Sequence, residues 1–150
     1  MDRRKHENID VIARAIILDE TGEKMLFCAP KNKSYYYLPG GHIEFGETAR
    51  KALKRELSEE TGIKTDETHF TFLGSDENIF LQSGEKQHEV NFYFKVDSVF
   101  PAKESLSKEG HIIFSWIPIS EIFHFRILPE TVKEKCGEFF KREYIQWNNL

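Results

Sequence analysis

Residues 48–62 read Thr-Ala-Arg-Lys-Ala-Leu-Lys-Arg-Glu-Leu-Ser-Glu-Glu-Thr-Gly, and this stretch decides how the rest of the chain is interpreted. It contains no proline, its only glycine is the last residue, and most of its side chains favour helix. Glycine commonly ends a helix because it adopts the left-handed conformation without strain. The sequence therefore predicts a helix from Thr48 to Thr61 that ends at Gly62, with Leu53 and Leu57 facing the core.

Three carboxylates lie together near the end of this predicted helix. Each helical residue advances by roughly 100°, so Glu56, Glu59 and Glu60 share one face. Like charges at these spacings repel one another, and the helix dipole favours cations at this end. A divalent cation would offset both costs, and oxygen ligands favour Mg²⁺, Mn²⁺ or Ca²⁺ over softer metals. Ala49 and Ala52 precede the acids on the same face, so we expect that face to be open.

A solvated helix face explains the same charges without any ligand. The basic residues of the helix can form ordinary i,i+4 ion pairs, such as Arg55 with Glu59, and the helix alone slightly favours this interpretation. Residues 39–41, Pro-Gly-Gly, change that balance. They are predicted to break regular structure, and glycine lets the backbone approach a ligand closely and offer it a carbonyl oxygen.

The glycine-rich segment and the helix together are similar to the signature of a known family. Gly41, five residues, Glu47, seven residues and then Arg-Glu-Leu-Ser-Glu-Glu-Thr-Gly-Ile at 55–63 match every specified position of the Nudix box, G-x5-E-x7-R-E-U-x-E-E-x-G-U, where U is a bulky aliphatic residue. The box covers residues 41–63, and the order of the flanking strands also resembles the family. A match at this many fixed positions is far more specific than a short glycine motif.

The resemblance implies a fold and a reaction. The fold is the Nudix fold, an α/β/α sandwich with a central mixed β-sheet, expected as a single domain over residues 1–150. The reaction is hydrolysis of the pyrophosphate bond in a small nucleotide, or in a nucleoside diphosphate linked to another moiety, with Mg²⁺ or Mn²⁺ as cofactor. A non-catalytic nucleotide-sensing module and an RNA-end (cap) pyrophosphohydrolase remain as alternative interpretations.

The resemblance also implies catalytic roles, carried over by position. Glu56 would bind a metal ion or act as the general base that activates water. Arg55 and Glu47 would form a supporting pair that orients the catalytic carboxylates, and their charges are consistent with that role.

A larger set of residues is implied to bind the metal. Within or beside the box these are Gly40, through its carbonyl, and Glu56, Glu59 and Glu60. Some family members recruit another glutamate outside the box, and Glu109, seven residues before Trp116, resembles that residue. Glu89 is the second candidate for this extra carboxylate, and a solvated surface acid remains an equal interpretation of both.

The candidate substrate-binding residues are Tyr35, Tyr37, His42 and Glu89. Alternate tyrosines on a strand can stack on a base, because every base has a π-face. His42 is a candidate phosphate contact. A core role for either tyrosine and an exposed role for the histidine are the competing interpretations.

Elsewhere the hydrophobic pattern alternates between strand and helix. In the first half of the chain we predict a hairpin of Ile9–Leu18 with Met25–Ala29 and a strand-like segment at Tyr35–Leu38. After the box we predict a second hairpin of Thr68–Leu81 with Gln87–Val96, a polar loop at Phe100–Gly110 and a strand at His111–Ile117. The last predicted element is a helix at Pro129–Trp147, whose apolar face comprises Val132, Cys136, Phe139, Phe140 and Trp147.

Composition and charge limit the partners. The chain has 150 residues, 39% hydrophobic and 31% charged, with 21 basic against 25 acidic side chains, so no long nucleic acid is expected. Its longest apolar runs, Val11–Leu18, which Arg14 interrupts, and Ile112–Ile119, are too short for a membrane span. The charged N-terminus and the widely spaced Cys28 and Cys136 predict a cytoplasmic protein with free thiols. The expected assembly is a monomer or homodimer that acts on a small nucleotide-type substrate.

Overall fold

The computed structural model describes residues 8–62, 64–97 and 110–148, and of residues 140–148 it describes the backbone alone. Within these ranges the strands are β1 (Asp10–Ile16), β2 (Lys24–Pro30), β3 (Gly40–His42), β4 (Phe70–Gln82), β5 (Glu85–Val96) and β6 (Ile112–Pro118). The α-helices are α1 (Ala49–Thr61) and α2 (Thr131–Asn148), and short 3-10 helices span Glu67–His69 and Ile119–His124.

Strand β1 lies inside a mixed four-stranded sheet of order β3-β1-β5-β4, parallel to β5 and antiparallel to β3. Strands β2 and β6 pair antiparallel as a second sheet. Ala13 and Ala15 of β1 pack with Leu53 of α1, whereas Ile16 packs with Val132 of α2. The two helices therefore cover opposite faces, and the predicted α/β/α sandwich around a mixed sheet is confirmed.

Helix α1 has the ends that its sequence predicts. The Thr48 side chain accepts a hydrogen bond of 3.2 Å from the amide of Lys51, which caps the N-terminus. Gly62 ends the helix with φ of 72°, and its amide donates to the Ser58 carbonyl at 2.9 Å. Leu53 and Leu57 are fully buried, as expected.

Three further predicted elements are confirmed. Strands β4 and β5 form a hairpin through a two-residue turn in which both Ser83 and Gly84 have positive φ, a geometry that matches the twist of paired strands. Strand β6 and helix α2 also form. Val132, Cys136 and Phe139 are buried along α2. The side chains of residues 140 and 147 and most of the predicted loop at 100–110 lie outside the described residues.

The predicted hairpin of β1 with β2 is wrong for most of its length. The two strands bond to each other only beside the turn, through the bridge between Leu18 and Met25 and a 2.9 Å hydrogen bond from the Leu26 amide to the Ile17 carbonyl. Beyond that point each strand pairs with distant partners. The strand-like segment at 35–38 likewise makes only isolated bridges, from Tyr36 and Tyr37.

The predicted break at residues 39–41 is wrong at Gly40 and Gly41, although Pro39 lies in a bend before the strand. Gly40 begins β3 and lies opposite Arg14 in the antiparallel register of β3 with β1. A Cβ atom at Gly40 would lie 2.0 Å from the Ala13 carbonyl oxygen, and its φ is 135°. Glycine is needed here because the two backbones lie this close, and it extends the sheet instead of ending it.

Cys28 and Cys136 are buried and free, as expected. Among the described residues, no helix combines the length and the apolar character that crossing a lipid bilayer requires.

Candidate active site

The loop before α1 is bound to the helix by one ion pair. Arg55 donates from Nε to Glu47 Oε1 at 2.7 Å and from Nη2 to Glu47 Oε2 at 3.0 Å, a two-pronged contact that fixes both side chains. The hydrogen bond from Arg55 and a second from the Glu44 amide lower the pKa of Glu47 to about 2. The predicted pair of Arg55 with Glu47 is therefore present.

The same guanidinium reaches three more acceptors. Its Nη1 donates to Glu56 Oε1 at 3.0 Å and to Glu59 Oε2 at 3.4 Å, and its Nη2 donates to the His42 carbonyl at 3.1 Å. The i,i+4 pair of Arg55 with Glu59, expected for an ordinary helix face, thus coexists with the network around Glu56. Arg55 consequently holds the glycine-rich segment, the loop and the helix in one arrangement.

Glu56 lies against the backbone of Gly41. A Cβ atom at position 41 would lie 2.4–2.8 Å from the carboxylate atoms of Glu56, so only glycine leaves room for this side chain. Burial raises the pKa of Glu56, and the hydrogen bond and charge of Arg55 partly oppose that shift. The site therefore holds a half-buried carboxylate whose affinity for a proton is raised, which suits a group that must accept one.

The other two acids of the predicted face differ from each other. The Glu59 side chain is 51% exposed, whereas Glu60 retains only 6% of its accessible surface and Ala52 is fully buried. The expectation of an open acidic face is therefore wrong at Ala52 and Glu60. Burial is the main cause of the raised pKa of Tyr37, and the nearby Cys28 and Glu60 add to it, so Glu60 lies close to residues from a distant part of the sequence.

Within the described ranges, no three carboxylate, histidine or cysteine side chains are grouped closely enough to form a preassembled metal site. The donor set nevertheless fits a hard divalent cation, because Glu56, Glu59 and Glu60 all offer oxygen and Gly41 leaves space for the Glu56 carboxylate. Gly40 precedes that glycine at the start of β3. Glu109 lies outside the described residues.

The predicted substrate-binding residues do not form one group. Tyr37 is half-buried against the core beneath α1, and Tyr35 is half-buried two residues earlier. The His42 side chain is 66% exposed, with Nε2 3.7 Å from Asp10 Oδ1. Glu89 lies on β5, where its Oε2 is 3.4 Å from Nη2 of Arg14.

Sequence reasoning missed Arg14. Its neighbours Ala13 and Ala15 pack towards α1, so the Arg14 side chain lies on the opposite face of the sheet, where Nε donates to Asn91 Oδ1 at 2.6 Å. Glu89 shares that face, and the structure does not bring it together with the carboxylates of α1. The available signal was a single arginine inside an otherwise apolar strand.

The family model of the NUDIX domain matches residues 9–147 of the chain. The chain is 40% identical over 68 residues to a putative nudix hydrolase 1 of Caenorhabditis elegans, a match that covers 42% of this chain and 19% of that protein. It is 28% identical over 99 residues to the nucleoside triphosphatase NudI of Escherichia coli, over 64% of this chain and 70% of that protein. The chain therefore spans about one fifth of the nematode relative.

The fold is shared with solved structures. The crystal structure of a MutT protein from Methanosarcina mazei superposes with a TM-score of 0.70 at 22% sequence identity, covering 92% of this chain and 97% of that one. The sandwich and the position of the acidic helix within it thus follow a known architecture.

Proposed function

Because this chain belongs to the Nudix hydrolase family, we propose that it hydrolyses the pyrophosphate bond of a small nucleotide, or of a nucleoside diphosphate linked to another moiety. The single observation that carries the proposal is the Glu56 carboxylate, which Arg55 holds against Gly41 at the junction of the glycine-rich segment and α1. The name of the Escherichia coli relative, a nucleoside triphosphatase, supports a nucleotide as the substrate.

Glu56 is proposed as the general base. Its Oε1 accepts the hydrogen bond from Arg55, and its Oε2 accepts none from the described residues, which leaves that oxygen for a water molecule. Burial raises its pKa, so the carboxylate binds the proton of an attacking water more readily than a fully solvated glutamate does.

Glu59, Glu60 and the carbonyl of Gly40 are proposed to hold Mg²⁺ or Mn²⁺, and a metal-binding role for Glu56 is the alternative to its role as general base. When bound, such a cation neutralises pyrophosphate charge and acts as a Lewis acid on the phosphoryl oxygens. Glu59 and Glu60 provide hard oxygen donors at one end of α1. Glu109 stays a predicted additional ligand.

Arg55 and Glu47 are proposed as positioning residues. The two bonds between them fix the plane of the guanidinium, and that plane sets where Nη1 meets Glu56. Loss of either partner should leave Glu56 present but misdirected.

The proposal is tested by assaying nucleoside triphosphates, nucleotide sugars, ADP-ribose, dinucleoside polyphosphates and coenzyme A, each with Mg²⁺ and with Mn²⁺. We expect one class to be cleaved at a pyrophosphate bond, as followed by ³¹P NMR, with activity lost on chelation and in Glu56→Gln. Tight nucleotide binding without metal-dependent cleavage of any substrate would contradict hydrolysis and support a sensing module. Competition by short RNA at two salt concentrations tests RNA-end processing.

The proposal includes a cytoplasmic location and a monomer or homodimer. The buried free thiols of Cys28 and Cys136 support a reducing compartment, because disulfides persist mainly in oxidising ones. Light scattering coupled to gel filtration measures the assembly.

A further inference from the structure

Strand β4 lies at an edge of the four-stranded sheet. It pairs with β5 on one side, and among the described residues no strand pairs with its other side. The strand contains neither lysine nor proline, which commonly protect edge strands from pairing with another chain. Its register irregularity, between Phe72 and Gly74, is confined to the end far from the hairpin turn. The end at residues 78–82 is therefore available for pairing.

The hairpin turn determines which backbone groups of β4 face outward. Ser83 and Gly84 both have positive φ, so Gln82 and Glu85 flank a two-residue turn as a hydrogen-bonded pair. Hydrogen-bonded and non-hydrogen-bonded pairs alternate along an antiparallel ladder. The amide and carbonyl groups of residues 79 and 81 consequently point away from β5, and they bond to no other segment of the described chain.

The side chains at this end of β4 are apolar and exposed. Ile79 is 58% exposed and Leu81 is 73% exposed, and the two share one face of the strand. Phe80, between them, lies on the other face. Exposed aliphatic side chains beside unpaired backbone groups on an edge strand are typical of a surface that adds another strand.

The segment 78–82 is complementary to a second copy of itself. In an antiparallel pair centred on Phe80, this residue lies opposite its own counterpart. Ile79 then lies opposite Leu81 of the second copy, and Asn78 lies opposite Gln82 of the second copy. This register joins the outward-facing backbone groups of both copies, and it matches aliphatic with aliphatic side chains and amide with amide side chains.

The position of Glu77 selects this register over the neighbouring one. A pair centred on Ile79 would also join outward-facing backbone groups, but it would place Glu77 opposite Leu81 of the second copy. A carboxylate loses hydration without compensation against an aliphatic side chain. The pair centred on Phe80 instead places Glu77 opposite Ser83 of the second copy, which is neutral and polar.

We infer that two copies of the chain associate through antiparallel pairing of residues 78–82 of β4, which joins their sheets into one continuous sheet. The paired segment is short, and interfaces that bury less than about 1,200 Å² are weak, so Kd should be on the order of 0.1 mM. The inference is independent of the proposed function, because it involves none of the residues assigned to catalysis.

The inference is tested by sedimentation velocity at protein concentrations that bracket the expected Kd. Leu81→Lys introduces a charge at the pairing edge, so it should weaken dimerisation at least about tenfold. The matched control is Phe123→Lys, which replaces a 69% exposed apolar residue on the 3-10 helix Ile119–His124 and should leave dimerisation unchanged. Thermal midpoints of both variants show whether the fold is retained.

The register is tested by cross-linking. In Phe80→Cys the two introduced thiols lie opposite each other, so mild oxidation should give a disulfide-linked dimer. Asn78→Cys is the matched control, because its counterpart lies opposite residue 82 and no bond should form. The natural Cys28 and Cys136 are buried, so they should add little background.

Each result decides the question. A protein that stays monomeric at all concentrations, dimerisation that Leu81→Lys does not weaken, equal losses in Leu81→Lys and Phe123→Lys, or cross-linking at position 78 instead of 80 would overturn the inference. If Leu81→Lys fails to fold, Ile79→Lys replaces it with the same expected loss.

Discussion

Arg55 and Arg14 lie on opposite sides of the same sheet and differ in how many of their N–H donors are hydrogen-bonded. Arg55 has a 26% exposed side chain and places all five of its N–H donors on protein acceptors, with Glu47 and Glu56 bound at 2.7–3.0 Å. Arg14 has a 9% exposed side chain, and within the described residues its guanidinium donates only twice, to the neutral amide of Asn91 and to the more distant carboxylate of Glu89. The more accessible arginine is therefore the more completely bound one.

This difference shows what orients the acids of α1. An arginine with every donor engaged holds its neighbouring carboxylates in one arrangement. The predictions below test whether Glu56 depends on that arrangement, from the largest expected effect to the smallest.

The largest expected effect is at Glu56. Glu56→Gln keeps the size of the side chain but removes its basicity, so kcat should fall by about 100- to 10,000-fold while the thermal midpoint changes little. Steady-state kinetics and calorimetry measure both quantities. The control is Glu134→Gln, an exposed acid on α2, which should keep wild-type activity. Near-normal turnover in Glu56→Gln would show that Glu56 is not the general base.

A smaller loss is expected when Arg55 no longer directs Glu56. Arg55→Lys cannot make the two-pronged contact with Glu47, so kcat should fall by roughly 10- to 100-fold with a lesser change in KM. Glu47→Gln should behave similarly, and the double variant should add little to either single loss. Full additivity would show that the two residues act independently and that Glu47 does not work through Arg55.

Gly41 tests whether the position of Glu56 matters apart from its chemistry. In Gly41→Ala the new methyl group would meet the Glu56 carboxylate, and the flexible side chain should move aside. We expect about a tenfold loss of kcat, by analogy with loss of a supporting contact, and an almost unchanged midpoint. Gly137→Ala is the matched control. A Cβ atom at position 137 would have none of the described side chains within 4 Å, so this change should stabilise α2 by up to about 1 kcal/mol without affecting activity.

The smallest effect concerns stability and pH. Glu47 has a pKa of about 2 in the folded protein against an ordinary 4.5, so its pair with Arg55 stabilises the fold above pH 4.5 and is lost as the pH falls towards 2. The thermal midpoint of the wild type should exceed that of Glu47→Gln by a small margin at pH 7. That margin should vanish near pH 2 in calorimetric scans. A difference in thermal midpoint that does not change with pH would show that the ion pair of Arg55 with Glu47 is not its cause.

Local features of the fold could be predicted because the residues that specify them are neighbours in sequence. Thr48 and Gly62 mark the ends of α1, and the Ser83-Gly84 turn specifies the β4–β5 hairpin. Pairing between distant segments could not be predicted in this way. The turn after β1 resembles a hairpin turn, but hydrogen bonds to β5 and β3 take up both edges of β1 beyond it.

The candidate active site could also be predicted only in part from the sequence. The pair of Arg55 with Glu47 is implied by the resemblance to the Nudix box and is present. The burial of Glu60 was missed because it depends on strands far away in sequence that approach the helix end. Asn91 is a polar residue in an alternating strand pattern, which predicts exposure. The pattern does not reveal that both faces of β5 are buried in the fold.

The pairing of Gly40 with Arg14 has one more consequence. Hydrogen bonds between two adjacent strands fix the separation of these residues, so neither can shift without breaking the sheet. A shift of β3 along β1 would therefore also move Gly41, the residue against which the Glu56 carboxylate lies. A sequence change that weakens the pairing of these two strands would alter the position of Glu56 even though it lies outside α1.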